Sequence, residues 1–232
     1  MRTVGQAKPL IRKPKTRLDA AMTDEEYLET QRRWRAESVE LFRAENKPKR
    51  ERWVVREFLT NLGVRFTDDE LVAVAQEPPD IQFCDAKFEI KEILDEGRRR
   101  HQEYKEGLEK ALRATSPGDL VEMFTPEDVT VGEVFALILR EATALAAEKY
   151  PPLVRKTLDL LFYVNLQDVF GLVETPFPDS TAMSSLGWRS VSFLMGYRGS
   201  ALVAANDAPD FIKAAVGRIV HRQVGHEAAS DL

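Results

Sequence analysis

EPPDIQFCDAKFEIKEI, residues 77–93, decides how this chain is read. Strand side chains alternate between the two faces of a sheet. In the first half, Ile81 and Phe83 share one face, and Asp80 and Gln82 the other. In the second half, Phe88, Ile90 and Leu94 share one face, and Glu89 and Lys91 the other. The four apolar residues Ile81, Phe83, Phe88 and Ile90 need one core, so the segment predicts a β-hairpin with both polar sets on one side. A two-residue turn at Asp85-Ala86 places Asp80 opposite Lys91 and Gln82 opposite Glu89. A one-residue slip would mix polar with apolar side chains. In this register Asp80 and Glu89 are diagonal neighbours about 7–8 Å apart, within reach of one shared cation.

Two carboxylates beside an ammonium are costly unless something holds them there. Alone, the acids repel and one tends to keep a proton. A divalent ion removes the repulsion, and hard oxygen donors suit Mg²⁺ or Mn²⁺. Lys91 then orients or helps deprotonate an attacking water and offsets phosphate charge. This is equipment for hydrolysing a phosphodiester.

The surrounding chain predicts helices before and after the hairpin. Thr23 with Glu26 is a capping box that opens a helix to about Ala44, with Leu28, Trp34, Val39 and Phe42 as its apolar stripe. Pro48 breaks that helix, and a second runs from about Lys49 to Leu62, burying Trp53, Val54, Phe58 and Leu59. Gly63 closes it. Val64–Thr67 is a short strand candidate. The segment 98–114 reads as a charged, mostly exposed helix. Thr130 with Glu133 caps a buried helix to about Tyr150, and LDLLFYVNL (158–166) suits a central strand. Residues 171–187 read as loop, 191–204 as two strands, and 210–222 as a terminal helix. The order predicts an α/β fold with a mixed sheet flanked by helices and an N-terminal helical extension.

Composition agrees. At 232 residues, with 44% hydrophobic and 31% charged residues, the chain fits one domain with decoration. The expected division is a basic arm over 1–22, a helix over 23–48 and a single nuclease-like domain over 49–232. Met1–Leu18 carries six basic residues and no acid, although the formal net charge is −5. The remainder is therefore more acidic than the whole, which argues against broad DNA coating but leaves room for a local basic cleft. No apolar run approaches the ~18 residues of a membrane span. One cysteine, Cys84, forms no internal disulfide, so the expected location is the cytoplasm. Cys84 reads as a small buried residue.

Pro79-Asp80, eight intervening residues and Glu89-Ile90-Lys91 resemble the PD-(D/E)xK nuclease signature. The other Pro-Asp pairs, 178–179 and 209–210, have no acid-x-Lys after them. The order of elements is similar to the restriction-endonuclease-like αβββαβ core over roughly residues 49–166. A narrower likeness rests on ERWV (51–54), EPPD (77–80), LDEGRR (94–99), GWRS (187–190) and APDF (208–211). These resemble a bacterial family of unknown function that carries an endonuclease description. The superfamily resemblance implies Mg²⁺ held by Asp80, Glu89 and the backbone carbonyl of Ile90, with Lys91 assisting water. It also implies a glutamate from the preceding helix; Glu51 is best placed, roughly three turns before Gly63, and Glu57 second.

Position alone makes Arg98, Arg99 and Arg189 candidate nucleic-acid contacts. The expected function is Mg-dependent nuclease action, with DNA favoured over RNA on family grounds and Mg²⁺ or Mn²⁺ as cofactor. The alternative is a catalytically inactive protein of the same fold that binds nucleic acid or a protein partner. The helix over 24–45 is a candidate surface for a homodimer, and no membrane partner is expected. Plainer roles compete at each position. Asp80 caps a turn, Glu89 and Lys91 form a solvated pair worth under ~1 kcal/mol, Glu51 is a first-turn helix acid, and Arg98–Arg100 is an exposed charge run.

Overall fold

The structure, a computed structural model, describes residues 22–76, 78–122, 125–167 and 169–222. The basic arm therefore lies outside the described residues, apart from Met22. Thr23 accepts from the Glu26 amide and Glu26 returns the bond, starting α1 (Asp24–Leu41). Next comes α2 (Lys47–Asn61), whose first turn holds Pro48. Proline is tolerated there because a first-turn N–H has no helical partner, so Pro48 starts α2 rather than separating two helices. Gly63, with φ +70°, follows the C-cap Leu62 as expected. Val64–Thr67 is not a strand. The chain goes instead through a short helical turn to β1 (Val72–Ala73).

The hairpin forms as β2 (Ile81–Phe83) and β3 (Ala86–Ile93). Its register differs from the expected one by two residues: Ile81 pairs with Phe88, Gln82 with Lys87 and Phe83 with Ala86. A two-residue shift keeps every side chain on its face, so the alternation holds. The turn falls at Cys84-Asp85, with Cys84 at φ 51°. Cys84 is accordingly exposed, not buried, because a turn tip lies outside both cores.

Downstream lie α3 (Arg100–Arg113), β4 (Glu127–Thr130), α4 (Val131–Glu148), α5 (Pro152–Arg155), β5 (Asp159–Val164), β6 (Val169–Val173), α6 (Thr181–Ser185), β7 (Ser190–Met195), β8 (Arg198–Ala204), α7 (Asp210–Lys213) and β9 (Val220–His221). Among the described residues, one seven-stranded sheet has the order β1-β2-β3-β5-β7-β8-β9, and β4 and β6 form a separate parallel pair. The main sheet is mixed: β3, β5 and β7 are mutually parallel and the outer strands antiparallel. Two segments depart from expectation. Part of the 171–187 loop is β6 and α6. The 210–222 helix stops after one turn, where Gly217 (φ +70°) and Ala215 pair their backbones with Ala201 of β8.

β5 explains how the layers are held. Leu160 and Phe162 enter one core with Val134, Ile138 and Phe193, while Leu161 enters the other with Phe58, Phe88 and Ile90. Both faces are covered, so the strand reads as a continuous apolar run. Each large side chain buried this way contributes roughly 1.5–3 kcal/mol. α1 is not a free extension. Arg32 donates to the carbonyls of Ala111 (3.0 Å) and Ala114 (2.9 Å) at the end of α3, and Leu28 packs with both residues.

Candidate functional site

The backbone of Ile90 gathers the expected residues. Asp80 precedes β2, and its N–H donates to the Phe88 carbonyl at 2.9 Å. Its Oδ2 accepts from the Ile90 N–H at 2.8 Å, so the side chain continues the ladder where the partner strand has ended. Lys91 Nζ donates to the Ile90 carbonyl at 2.9 Å and also to Glu89 Oε1. The Tyr150 hydroxyl donates to the same Glu89 oxygen. Asp80 and Glu89 are 4% and 1% exposed, which no solvated ion pair would be. Glu89 Oε2 is buried with no hydrogen-bond partner. An orphaned carboxylate oxygen in a dry setting costs more than an ordinary lost hydrogen bond.

Glu51 reaches this group through Lys47. The ammonium lies 3.2 Å from Glu51 Oε1 and 3.1 Å from Asp80 Oδ1. Glu57, the second choice on the same helix, instead pairs with Arg222. Among the described residues, no three His, Cys, Asp or Glu side chains come together as a metal cage. The oxygen donors on offer are the two buried carboxylates and the Ile90 carbonyl. Their hardness and the orphaned Oε2 fit a Mg²⁺-like ion. Two ammonium groups, Lys47 and Lys91, sit on the same donors.

The three arginines divide. Arg189 is 9% exposed and pairs twice with Asp159, itself 1% exposed, while also donating to the Asp85 carbonyl at 3.0 Å. It is an interior strut between β5, β7 and the hairpin turn. The expected nucleic-acid contact is corrected here, because a guanidinium enclosed this way presents nothing to a substrate. Arg98 is also largely enclosed, donating to Glu103 at 2.8 Å and to the Asn165 carbonyl at 2.8 Å. These bonds hold its pKa above the usual arginine value, chiefly through Glu103. Arg99 is exposed at the start of α3.

Four neighbours escaped the sequence reading. Lys47 reads as part of a helix break, and Tyr150 as a helix end before Pro151-Pro152. Lys149, 3.8 Å from Glu89, reads the same way. Arg100 reads as one of an exposed run but lies over the rings of Phe42, Tyr104 and Tyr163. Burial opposes its charge, yet Glu92 and Tyr104 outweigh that and leave its pKa above the usual value. No local spacing marks any of the four.

Residues 23–228 match the profile of a family described as "Putative endonuclease, protein of unknown function (DUF1780)". The chain belongs to this family. A solved structure from Pseudomonas aeruginosa strain PAO1, described as a protein of unknown function of the monooxygenase superfamily, is similar. Its TM-score is 0.59 at 27% identity, over 88% of this chain and 98% of that one. A comparison with curated proteins finds no match. No helix among the described residues is long and apolar enough to cross a membrane.

Proposed function

We propose that this chain is a metal-assisted phosphodiester hydrolase of the PD-(D/E)xK kind, acting on DNA in preference to RNA. One observation carries the reading: a carboxylate, Glu89, is buried at 1% exposure with Oε2 unpartnered, beside a backbone carbonyl and a lysine ammonium. With α3, β4 and α5 taken as additions, α2, β1, β2, β3, α4 and β5 follow one another in the αβββαβ order of that superfamily, and β3 lies parallel to β5, which supports the reading. Asp80 Oδ1, Glu89 Oε2 and the Ile90 carbonyl would hold Mg²⁺ or Mn²⁺. When bound, the ion supplies charge to polarise the phosphodiester and acidify water.

The chain's own residues do the rest. Asp80 keeps Oδ2 on the Ile90 N–H, which fixes the carboxylate's direction. Tyr150 holds Glu89 Oε1 from the opposite core, which leaves the buried Oε2 without a hydrogen bond and available to an ion. Lys91 swings from Glu89 and the Ile90 carbonyl to the attacking water or a phosphate oxygen. Water forms the new P–O bond and gives up a proton to solvent, the ester P–O bond breaks with its electron pair on the leaving oxygen, and that oxygen takes up a proton from solvent. The neighbour's monooxygenase label suggests different chemistry, but two carboxylates, a carbonyl and a lysine suit a hard ion and a phosphate better.

The contact of Lys47 with both Glu51 and Asp80 favours a second reading, in which an ammonium permanently takes the ion's place and the protein binds nucleic acid without cutting it. Incubation with supercoiled, linear and single-stranded DNA and with RNA, in Mg²⁺ or Mn²⁺, separates the two. Cleavage that falls at least ~10²-fold in Glu89→Gln and Lys91→Ala supports hydrolysis at this site. Cleavage indifferent to both substitutions rejects it, and binding without cleavage selects the second reading.

A further inference from the structure

A cavity of about 500 Å³ opens between α1, α2, α3 and the strand ends, and Glu51, Lys47 and Ile90 of the candidate site form part of its wall. Its lining is chemically unusual for a chain of net charge −5. Four aromatic rings line it: Phe42, Trp53, Tyr104 and Tyr163. Four cations join them, Lys47, Lys49, Arg50 and Arg100, against the two acids Glu51 and Glu92. The rings are arranged as a wall. Phe42 and Tyr104 stack at 4.7 Å and 29°, and Trp53 meets Tyr163 edge-on at 5.5 Å and 79°. The Arg100 guanidinium sits 4.2 Å from the Phe42 centroid and 5.7 Å from that of Tyr163, tied to Glu92. Trp53 keeps 44% of its surface open, although it lies on a helix whose other apolar residues are buried.

Flat aromatic faces beside cations suit a ligand that is itself flat and carries negative charge. An apolar peptide needs no cations, and a bare phosphate needs no rings. We propose that this cavity takes an unpaired nucleobase of a single nucleic-acid strand, stacked on Trp53, with the flanking phosphates at Lys49 and Arg50. A volume near 500 Å³ is of the size that holds small ligands. Base-on-aromatic stacking is the usual means of gripping single strands without reading sequence. The pocket touches the candidate site through Glu51 and the Lys47 bridge, so a base seated there places the next phosphate beside Asp80. The inference rests on the phosphodiester reading for its ligand class and adds that the strand is held open rather than paired.

The test is fluorescence anisotropy in EDTA, without cleavage, using a labelled dT8 strand, a fully abasic strand of equal length and a blunt duplex. The dT8 strand is expected to bind at least roughly ten-fold more tightly than the abasic strand. Trp53→Ala is expected to lose about the same factor toward dT8 and none toward the abasic strand, while Trp53→Phe keeps most of the affinity. Equal affinity of the unaltered protein for dT8 and the abasic strand overturns the proposal, whatever the variants do. So does preference for the duplex, or dT8 affinity unmoved in Trp53→Ala. Mg²⁺-dependent cleavage with base-independent binding defeats the pocket and spares the catalytic site. Base-dependent binding with no cleavage defeats the catalytic site and spares the pocket.

Discussion

Replacing Arg189 with methionine separates a structural strut from a substrate contact. The Asp159 carboxylate at the start of β5 is 1% exposed and has four donors: two from Arg189, the Ser190 hydroxyl at 2.7 Å and the Lys87 N–H at 2.8 Å. Methionine fills much of the space but removes the only cation among them. Two neutral donors then face a full buried charge. Breaking such a pair from one side costs about 3–5 kcal/mol, because the orphaned charge stays in low dielectric. A domain of ordinary stability has only about 5–15 kcal/mol in total, so the loss would be plain. With a urea slope of about 2 kcal/mol/M, the midpoint should fall by roughly 1.5–2.5 M. The companion Arg189→Met/Asp159→Leu removes both charges and should recover most of that loss. Affinity for a DNA strand, measured below the unfolding transition, should not change in either variant. A midpoint shift under about 0.5 M would refute the reasoning, as would a selective loss of DNA affinity in a fully stable Arg189→Met.

Other outcomes follow from the same contacts. Lys91→Met removes an ammonium that shares Glu89 Oε1 and the Ile90 carbonyl, so calorimetry should find tighter Mn²⁺ binding while cleavage is lost; weaker Mn²⁺ binding would show that the lysine does not compete. Thr130→Ala deletes the N-cap of α4 and should lower unfolding free energy by about 1 kcal/mol in urea titrations; no change would mean that α4 is held by its buried face alone. The Thr130 N–H, then its hydroxyl, hold the Glu133 carboxyl below its ordinary value of 4.5. Its contribution is therefore present above that value and is lost as pH falls through the lower folded-state value. Glu133→Gln should flatten the stability difference between about pH 6 and about pH 3, measured by urea midpoints; an unaltered difference would assign acid sensitivity elsewhere.

Local pattern carries much of this fold. The capping pairs Thr23/Glu26 and Thr130/Glu133 mark both long helix starts because the reciprocal bonds close within four residues. The apolar alternation of 81–90 marks the hairpin and its faces because side-chain direction has a period of two. LDLLFYVNL marks the central strand because no polar face is left on a strand covered from both sides. The grouping of Asp80, Glu89, Ile90 and Lys91 was legible for the same reason: all four lie on one hairpin.

Register, partners and exposure were settled at longer range. The hairpin slipped by two residues without disturbing any face, so alternation could not distinguish the two registers. Arg189 became a strut only because β7 lies beside β5 and brings it to Asp159, 30 positions away in sequence. Lys47 and Tyr150 joined the site across 33 and 61 positions, and Arg100 entered an aromatic wall built partly by Phe42, just past the end of α1. The amino-acid sequence determined which elements form and which face of each is apolar, since those depend on neighbours a few residues apart. Only the packing of distant elements decided which charges are enclosed and which oxygen of Glu89 is left without a donor, because burial and pairing are properties of the assembled layers.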